Sequence, residues 1–215
     1  MLEKLPDAIG HAISGVRAGL DSIAFNQLNL RQGTNAIRIE SLAFADHAPI
    51  PQRYTADGDG ISPPLQWWDV PQAAAALVLL VEDADSPTPH PLVHAIVVGL
   101  PAEEDGALAE GALNSTDTED EDVGPELHIG LNSFLKTAWL PPDPPPGHGV
   151  HRYAFQLFAL DAEPDFSNAP GRDEVLGAVA KHAIASGLLI GTCERDNRIK
   201  VDEPKPAVAG PLTPG

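Results

Sequence analysis

The sequence predicts a mainly β fold with peripheral helices, and three observations lead to this prediction. Several short apolar runs are bounded by proline, glycine and aspartate, a pattern typical of buried strands. Few helical segments separate these runs, which favours a sheet-based architecture over alternating strands and helices. The 215 residues include 22 prolines and 19 glycines, a content typical of turns and irregular connections. A long helical bundle is therefore disfavoured.

The composition and its changes along the chain divide it into three parts. Hydrophobic residues make up 43% of the chain, enough for one domain with a sizeable core. We expect an N-terminal helical extension at residues 1–34 and the β domain at 35–201. A proline-rich tail follows at 202–215, and its composition predicts disorder.

The extension carries apolar residues at steps of three and four, which predicts an amphipathic helix. These residues are Leu5, Ile9, Ile13, Val16, Leu20 and Ile23. Gly10, Gly15 and Gly19 weaken such a helix by about 1 kcal/mol each relative to alanine. A helix of this kind needs a surface to cover. We expect that surface to be the chain's own domain or the same surface of a second subunit in a homodimer.

The predicted elements of the β domain follow from short apolar runs and one helical pattern. Strands are predicted for "AIRIESLAF" (36–44), "ALVLLVE" (76–82), "LVHAIVVGL" (92–100), "RYAFQLFAL" (152–160) and "LLIGTCER" (188–195). A helix is predicted for "RDEVLGAVAKHAIASG" (172–187), in which apolar residues recur at helical spacing.

The charge of the chain excludes several classes of function. Its formal net charge is −18, so nucleic acids and anionic lipid surfaces are disfavoured partners. Much of this charge lies at 115–126, which we interpret as a solvated acidic loop rather than a calcium loop. No apolar stretch reaches 18 residues, so stable membrane insertion is not expected. Cys193 is the only cysteine, which excludes an internal disulfide, and the N-terminus lacks a signal-peptide pattern. A cytoplasmic protein is the default expectation.

Ionisable side chains cluster where two predicted strands meet. Asp83 and Asp85 lie one residue apart at a strand end, a spacing that aims both side chains to the same side. A proline-rich turn follows, and His94 lies just inside the next strand. A carboxylate pair next to an imidazole is plausible equipment for ligand binding or acid–base chemistry.

A second segment carries similar chemistry farther along the chain. The proline-rich stretch 141–146 predicts a stiff, polyproline-like loop. The following "GHGVHRY" places His151 and Tyr153 on one side of a strand start and Arg152 on the other. Bringing this loop to the same end of the sheet as the two aspartates would assemble a cleft with rigid walls.

These motifs, taken in order, resemble the phosphatidylethanolamine-binding protein family, in the bacterial branch often described as Raf-kinase-inhibitor-like. The resemblance covers residues 44–195. It rests on "IPQRYTADGDGISPPLQWWDVP" (50–71), "DADSP" (83–87) followed by His94, "WLPPDPPPGHGVHRY" (139–153), "YAFQLFALD" (153–161) and "LLIGTCER" (188–195).

The resemblance implies an antiparallel β-sandwich with peripheral helices and a small anion pocket at one end. Such a pocket accepts phosphate, sulfate, acetate or a phospholipid head group. The matching positions here are Asp83, Asp85, His94, Trp139, Pro142, His151 and Tyr153. The sequence departs from the family pattern at Ala95, Trp139 and Pro141, where the family has tryptophan, tyrosine and glycine.

Several functions fit these residues. The first is a binding protein without turnover, in which a protonated imidazole donates to an anion. The second is a hydrolase or isomerase that uses the aspartates and histidines as acid and base. The third is a regulator that docks on another protein. A zinc site at Asp83, Asp85, His94 and His151 suits the residue types, but the resemblance argues against it. We expect no metal and no cofactor.

Overall fold

The structure is a computed structural model that describes residues 7–28, 37–114 and 127–195. The predicted acidic loop at 115–126 and the predicted disordered tail at 202–215 lie outside these residues.

The described domain contains two antiparallel sheets. A sheet of three strands has the order β1-β2-β5, with β1 Arg38–Glu40, β2 Leu65–Trp68 and β5 Gly106–Leu108. A sheet of five strands has the order β6-β4-β3-β7-β8, with β3 Ala76–Asp83, β4 Leu92–Leu100, β6 His128–Ile129, β7 His151–Leu160 and β8 Ala183–Cys193. The predicted β-sandwich is confirmed.

The central strands of the larger sheet are buried on both faces, and the strand period of two divides their side chains between two cores. Leu77, Leu79 and Val81 of β3 point into the core between the sheets, together with Ile39, Leu65 and Trp67 of the smaller sheet. Val78 and Leu80 point to the opposite face, where they pack with Val175 and Val179 of the helix α3, Arg172–His182. Burial on both faces explains why these strands are continuous apolar runs.

Three predicted elements of the β domain differ from the observed ones by more than one residue. The first predicted strand shortens to β1. The predicted helix at 172–187 ends at His182, and the following residues extend β8 instead. Pairing with β7 is the physical reason: Ala185 lies opposite Ala159, and Ser186 lies opposite Phe158. Long-range pairing here overrides the local helical pattern.

The N-terminal segment is not the single helix that its periodicity predicts. It forms α1 (Asp7–Ile13), a 3₁₀ turn (Leu20–Ser22) and α2 (Ala24–Gln27). The backbone of Gly19, at a φ of 87°, is incompatible with a continuous helix. Ile23 and Ala24 are fully buried against this chain's own sheet. The described part of the segment therefore covers its own domain.

Candidate functional site

A buried carboxylate–imidazole pair lies at one end of the larger sheet. Asp83 is the last residue of β3 and His151 is the first residue of β7, and these strands are antiparallel neighbours. Oδ2 of Asp83 lies 2.7 Å from Nδ1 of His151. Both side chains are nearly inaccessible, at 6% and 1% exposure. Removing two ionisable groups from water is costly unless they satisfy each other, so the pair is tightly coupled.

A second histidine extends the pair toward the protein surface. Nδ1 of His148 lies 2.7 Å from Nε2 of His151. On its other side, Nε2 of His148 lies 3.0 Å from the carbonyl oxygen of Ile13 and 3.2 Å from that of Val16. The result is a continuous hydrogen-bonded chain from Asp83 to the backbone of the N-terminal segment.

The partners of this chain fix where its protons lie. Carbonyl oxygens only accept, so Nε2 of His148 carries a hydrogen. One proton must lie between the two imidazoles, and one between His151 and Asp83, because each short contact needs a donor. Every donor in the chain already has an acceptor within the protein.

A series of aromatic rings leads from this chain to Trp139. The His94 ring stands edge-on to the Tyr153 ring at a centroid distance of 5.0 Å, and the His151 ring stacks on Tyr153 at 6.5 Å. The Trp139 ring lies 6.1 Å from the His94 ring and stacks on Phe155. The structure thus brings five of the predicted residues together: Asp83, His94, Trp139, His151 and Tyr153.

His94 is a neutral acceptor rather than a protonated donor. Its Nδ1 donates to the carbonyl oxygen of Leu140 at 2.5 Å. Burial lowers the pKa of His94 and outweighs the opposing influence of Asp83. Its Nε2 is buried and has no hydrogen-bond partner among the described residues, and the same is true of Nε1 of Trp139. The expectation of a protonated imidazole is therefore wrong for His94.

Tyr153 is neutral as well. Its side chain is fully buried, and burial together with the nearby Asp83 charge raises the pKa of the phenol well above its ordinary value. The phenol keeps its proton at neutral pH and is not an anionic group in the site.

Asp85 belongs to a neighbouring ion-pair cluster. Its oxygens accept from Nε and Nη2 of Arg152 at 2.6 and 2.7 Å, and Nη1 of Arg17 lies 3.0 Å away. Burial acts to raise the pKa of Asp85, but the hydrogen bonds from Arg152 and Arg17 outweigh it and lower that pKa. Asp83 and Asp85 therefore have different partners, although the sequence spacing suggested a shared role.

Pro142 lies in the proline-rich loop beside this end of the sheet. It is buried, and its carbonyl oxygen accepts from the Ala56 amide at 2.9 Å. This bond ties the loop to the segment that follows the 3₁₀ turn Gln52–Tyr54, so Pro142 is held as part of a fixed wall.

The site is closed to solvent. Exposure is 3% for His94, 6% for Trp139, 1% for His148 and 0% for Tyr153. An open groove lies elsewhere, lined in part by Ile39, Ser41, Phe44, Asp46 and Leu189. We assign the chemistry to the closed cluster rather than to the groove, because the cluster, unlike the groove, combines buried unpartnered polar atoms with a buried carboxylate–imidazole pair.

Sequence reasoning missed His148 and Arg17. His148 lies three residues before His151 in the quoted "GHGVHRY", so its spacing was a usable signal. Arg17 offered none, because the carbonyl groups of His148 and Val150 that accept from it lie more than 130 positions away along the chain.

Within 7–28, 37–114 and 127–195, no group of three or more histidine, cysteine, aspartate or glutamate side chains has a metal-binding arrangement. In the same ranges, no helix has the length and apolar character needed to cross a membrane.

Sequence and structure comparisons agree on one family. The sequence profile of the phosphatidylethanolamine-binding protein family matches residues 40–194. A UPF0098 protein of Methanothermobacter thermautotrophicus is 35% identical over 159 residues, which are 74% of this chain and 99% of that protein. A UPF0098 protein of Mycobacterium tuberculosis is 38% identical over 160 residues, which are 74% of this chain and 71% of that protein.

Solved structures show the same fold. A Chlamydia trachomatis protein, described as a putative phosphatidylethanolamine-binding protein homologue, superposes with a TM-score of 0.65 at 36% identity. The match covers 76% of this chain and all of that one. Escherichia coli YbcL superposes with a TM-score of 0.64 over 74% of this chain and 98% of its own, at an identity of 22% that shows the fold alone. With its profile match, its relatives and its sandwich in agreement, this chain belongs to the phosphatidylethanolamine-binding protein family.

Proposed function

We propose that the protein binds a small phosphorylated ligand, of the phospholipid-head-group class, at the cluster of Asp83, His94, Trp139, His151 and Tyr153. One observation carries the proposal: Nε2 of His94 and Nε1 of Trp139 are buried without a partner among the described residues. Unpartnered buried polar atoms are uncommon in native proteins and mark places where a partner is missing. The family name and the relative described as a family homologue support a ligand of this class.

The two atoms define what the ligand must offer. Neutral His94 presents a lone pair at Nε2, so the ligand needs a hydrogen-bond donor. The indole of Trp139 donates only, so the ligand also needs an acceptor oxygen. Monohydrogen phosphate carries both on one group. Phosphoethanolamine carries phosphate oxygens and an ammonium group, which the carboxylate of Asp83 also favours.

The proposal is tested by titrating inorganic phosphate and phosphoethanolamine into the full chain and following the imidazole NMR signals of His94 and His151. We expect saturable binding in the natural protein and a loss of about tenfold or more in affinity for His94→Phe, because one hydrogen bond to a charged group contributes roughly 1.5–3 kcal/mol. The matched control is His90→Phe, since His90 is exposed in the loop that precedes β4. Equal affinity in all three chains would contradict the proposal.

A cytoplasmic location and a homodimer remain predictions. The single cysteine supports the first. For the second, exposed apolar side chains remain on the N-terminal segment, with Ile9 at 43% and Val16 at 52% exposure. Sedimentation of the full chain at several concentrations tests the homodimer, and a single monomer mass throughout would contradict it.

A further inference from the structure

The first part of the N-terminal segment contacts His148, which is hydrogen-bonded to His151 of the proposed site. We call residues 9–19 the N-terminal strap and residues 20–27 the anchor. The carbonyl oxygens of Ile13 and Val16 accept from Nε2 of His148 at 3.0 and 3.2 Å. The strap therefore occupies the outer end of the hydrogen-bonded chain that leads to Asp83.

Gly10 makes the closest approach of the strap to the site loop. A Cβ atom built at Gly10 would lie only 1.9 Å from the carbonyl oxygen of Pro146 and 3.2 Å from the amide nitrogen of His148. Both neighbours are backbone atoms, which cannot rotate away. The strap can therefore dock in this position only because residue 10 has no side chain.

Arg17 joins the strap to the loop that precedes β7 and to the loop that follows β3. Its guanidinium donates to the carbonyl oxygens of His148 and Val150 at 2.7 Å each, and it pairs with Asp85 at 3.0 Å. The strap backbone adds two hydrogen bonds, from the Ala18 amide to Ser86 O and from the Gly19 amide to Ala84 O. The strap is thus held mainly by polar contacts. Such contacts can be replaced by hydrogen bonds to water or to a ligand.

The anchor is held in a different way. Ile23 and Ala24 are fully buried, and the amides of Ala24 and Phe25 donate to the side chains of Glu82 and Gln156 at 2.8 and 2.7 Å. Gly19, whose φ of 87° suits glycine, separates this buried anchor from the strap. Gly19 is therefore the point about which we expect the strap to move if it leaves the site while the anchor stays in place.

We propose that the N-terminal strap is an intramolecular cover that competes with the phosphorylated ligand for His148, so that ligand entry requires displacement of the strap. This inference rests on the proposed function. With the strap docked, the donor at Nε2 of His148 is used by Ile13 and Val16. With the strap displaced, that N–H faces outward and offers an anion the charge-assisted end of the chain from Asp83.

The position of the strap in the sequence agrees with an added cover. It precedes residue 40, where the family match begins. The Chlamydia trachomatis relative is matched over its whole length by 76% of this chain. The family match therefore does not include the strap, which agrees with a segment added to the shared domain.

The test uses full-length chains that differ by one residue in the strap. Gly10→Ala places a methyl group against Pro146 and should displace the strap. Gly15→Ala is the matched control, because a Cβ at Gly15 meets nothing within 4 Å. Arg17→Gln is a second displacing variant, which serves if Gly10→Ala does not fold. Hydrogen exchange of the Ala18 and Gly19 amides reports whether the strap is docked.

We expect faster exchange of these two amides in Gly10→Ala and Arg17→Gln, with affinity for inorganic phosphate and phosphoethanolamine increased by about tenfold or more, because a closed population reduces apparent affinity in proportion. Gly15→Ala should match the natural protein in both measurements. Displaced straps with unchanged affinity would overturn the inference while leaving the proposed function intact. Straps that stay protected in both variants would also overturn it. If chains with displaced straps bind neither probe, the proposed function fails.

Discussion

Nδ1 of His148 lies 2.7 Å from Nε2 of His151, and this contact connects the N-terminal segment with a carboxylate at the end of the sheet. His148 is held on one side by backbone carbonyls of the segment, and His151 is held on the other by Asp83. We expect a change at either end to alter the hydrogen bonds of the other, because the two imidazoles belong to one hydrogen-bonded chain.

The Asp83–His151 pair should make a large contribution to stability. Asp83→Asn replaces the buried carboxylate that accepts from His151 with an uncharged amide, which is a weaker acceptor. We expect a decrease of about 3–5 kcal/mol in the free energy of unfolding, the range observed when one partner of a buried pair is removed. Urea denaturation at neutral pH measures it.

A second aspartate–histidine pair in the same chain supplies the control. Asp161 lies 3.0 Å from Nδ1 of His182, but its side chain is 53% exposed. Asp161→Asn should cost less than about 1 kcal/mol, because water screens exposed pairs. Equal losses in the two variants would show that burial does not distinguish the pairs.

Stability should decline on mild acidification. Burial lowers the pKa of both His94 and His148 below the ordinary 6.5, so the unfolded chain binds protons more readily than the folded one. Their contribution is present in full above 6.5 and is lost as pH falls toward the lowered folded-state values. Each histidine adds a slope of at most about 1.4 kcal/mol per pH unit. Urea denaturation at a series of pH values measures the slope.

His94→Phe should make this decline shallower, because phenylalanine takes up no proton. His90→Phe is the control, since the exposed ring at position 90 is not part of the cluster. An identical pH slope in the natural protein and in His94→Phe would refute the assignment of the decline to His94.

The larger sheet could be predicted from the sequence because its central strands are buried on both faces. The predicted run at 92–100 coincides with β4, and β3 and β7 each differ from the prediction by a single residue. The first half of β8 could not be predicted. The helical spacing in this stretch is a local signal, whereas its pairing with β7 is a long-range one.

The candidate site was only partly accessible to sequence reasoning. The residues that end β3 and begin β4 and β7 could be placed together, because antiparallel neighbours bring such ends to one edge. The role of the N-terminal segment could not, because its apolar periodicity says nothing of the carbonyl groups that contact His148. The sequence also could not show that Asp83 and Asp85 have different partners. Their separation by two positions predicts only that both side chains point to the same side of the strand end.

We predict no esterase, phosphatase or protease turnover. Cys193 is a poor nucleophile, because burial raises the pKa of its thiol to about 11. The hydroxyl of Ser86 is engaged with Asp83 O and Thr88 Oγ1 rather than with an imidazole. Activity on chromogenic esters, phosphate esters and peptides should equal that of the double variant His94→Ala, His151→Ala. Turnover that disappears in the double variant would establish an enzyme instead.

The anchor of the N-terminal segment depends on the buried ion pair between Glu82 and Arg172. Removing the arginine should loosen the anchor. Glu82 is fully buried and accepts from Arg172 at 2.6 Å, from Gln156 at 2.8 Å and from the Ala24 amide at 2.8 Å. Arg172→Met leaves its carboxylate without a counter-charge. We expect a loss of about 3–5 kcal/mol in urea denaturation and faster hydrogen exchange at Ala24.

Two further variants distinguish the effect of the unpaired Glu82 carboxylate from the effect of losing the Arg172 side chain itself. Arg53→Met removes an arginine from a surface pair with Glu110, where the side chain is 56% exposed, and should change stability little. The double variant Glu82→Gln, Arg172→Met removes both charges and should recover part of the loss, because an uncharged amide costs less to bury than an unpaired carboxylate. A double variant that is no more stable than Arg172→Met would show that the packing of the arginine, and not its charge, holds the anchor in place.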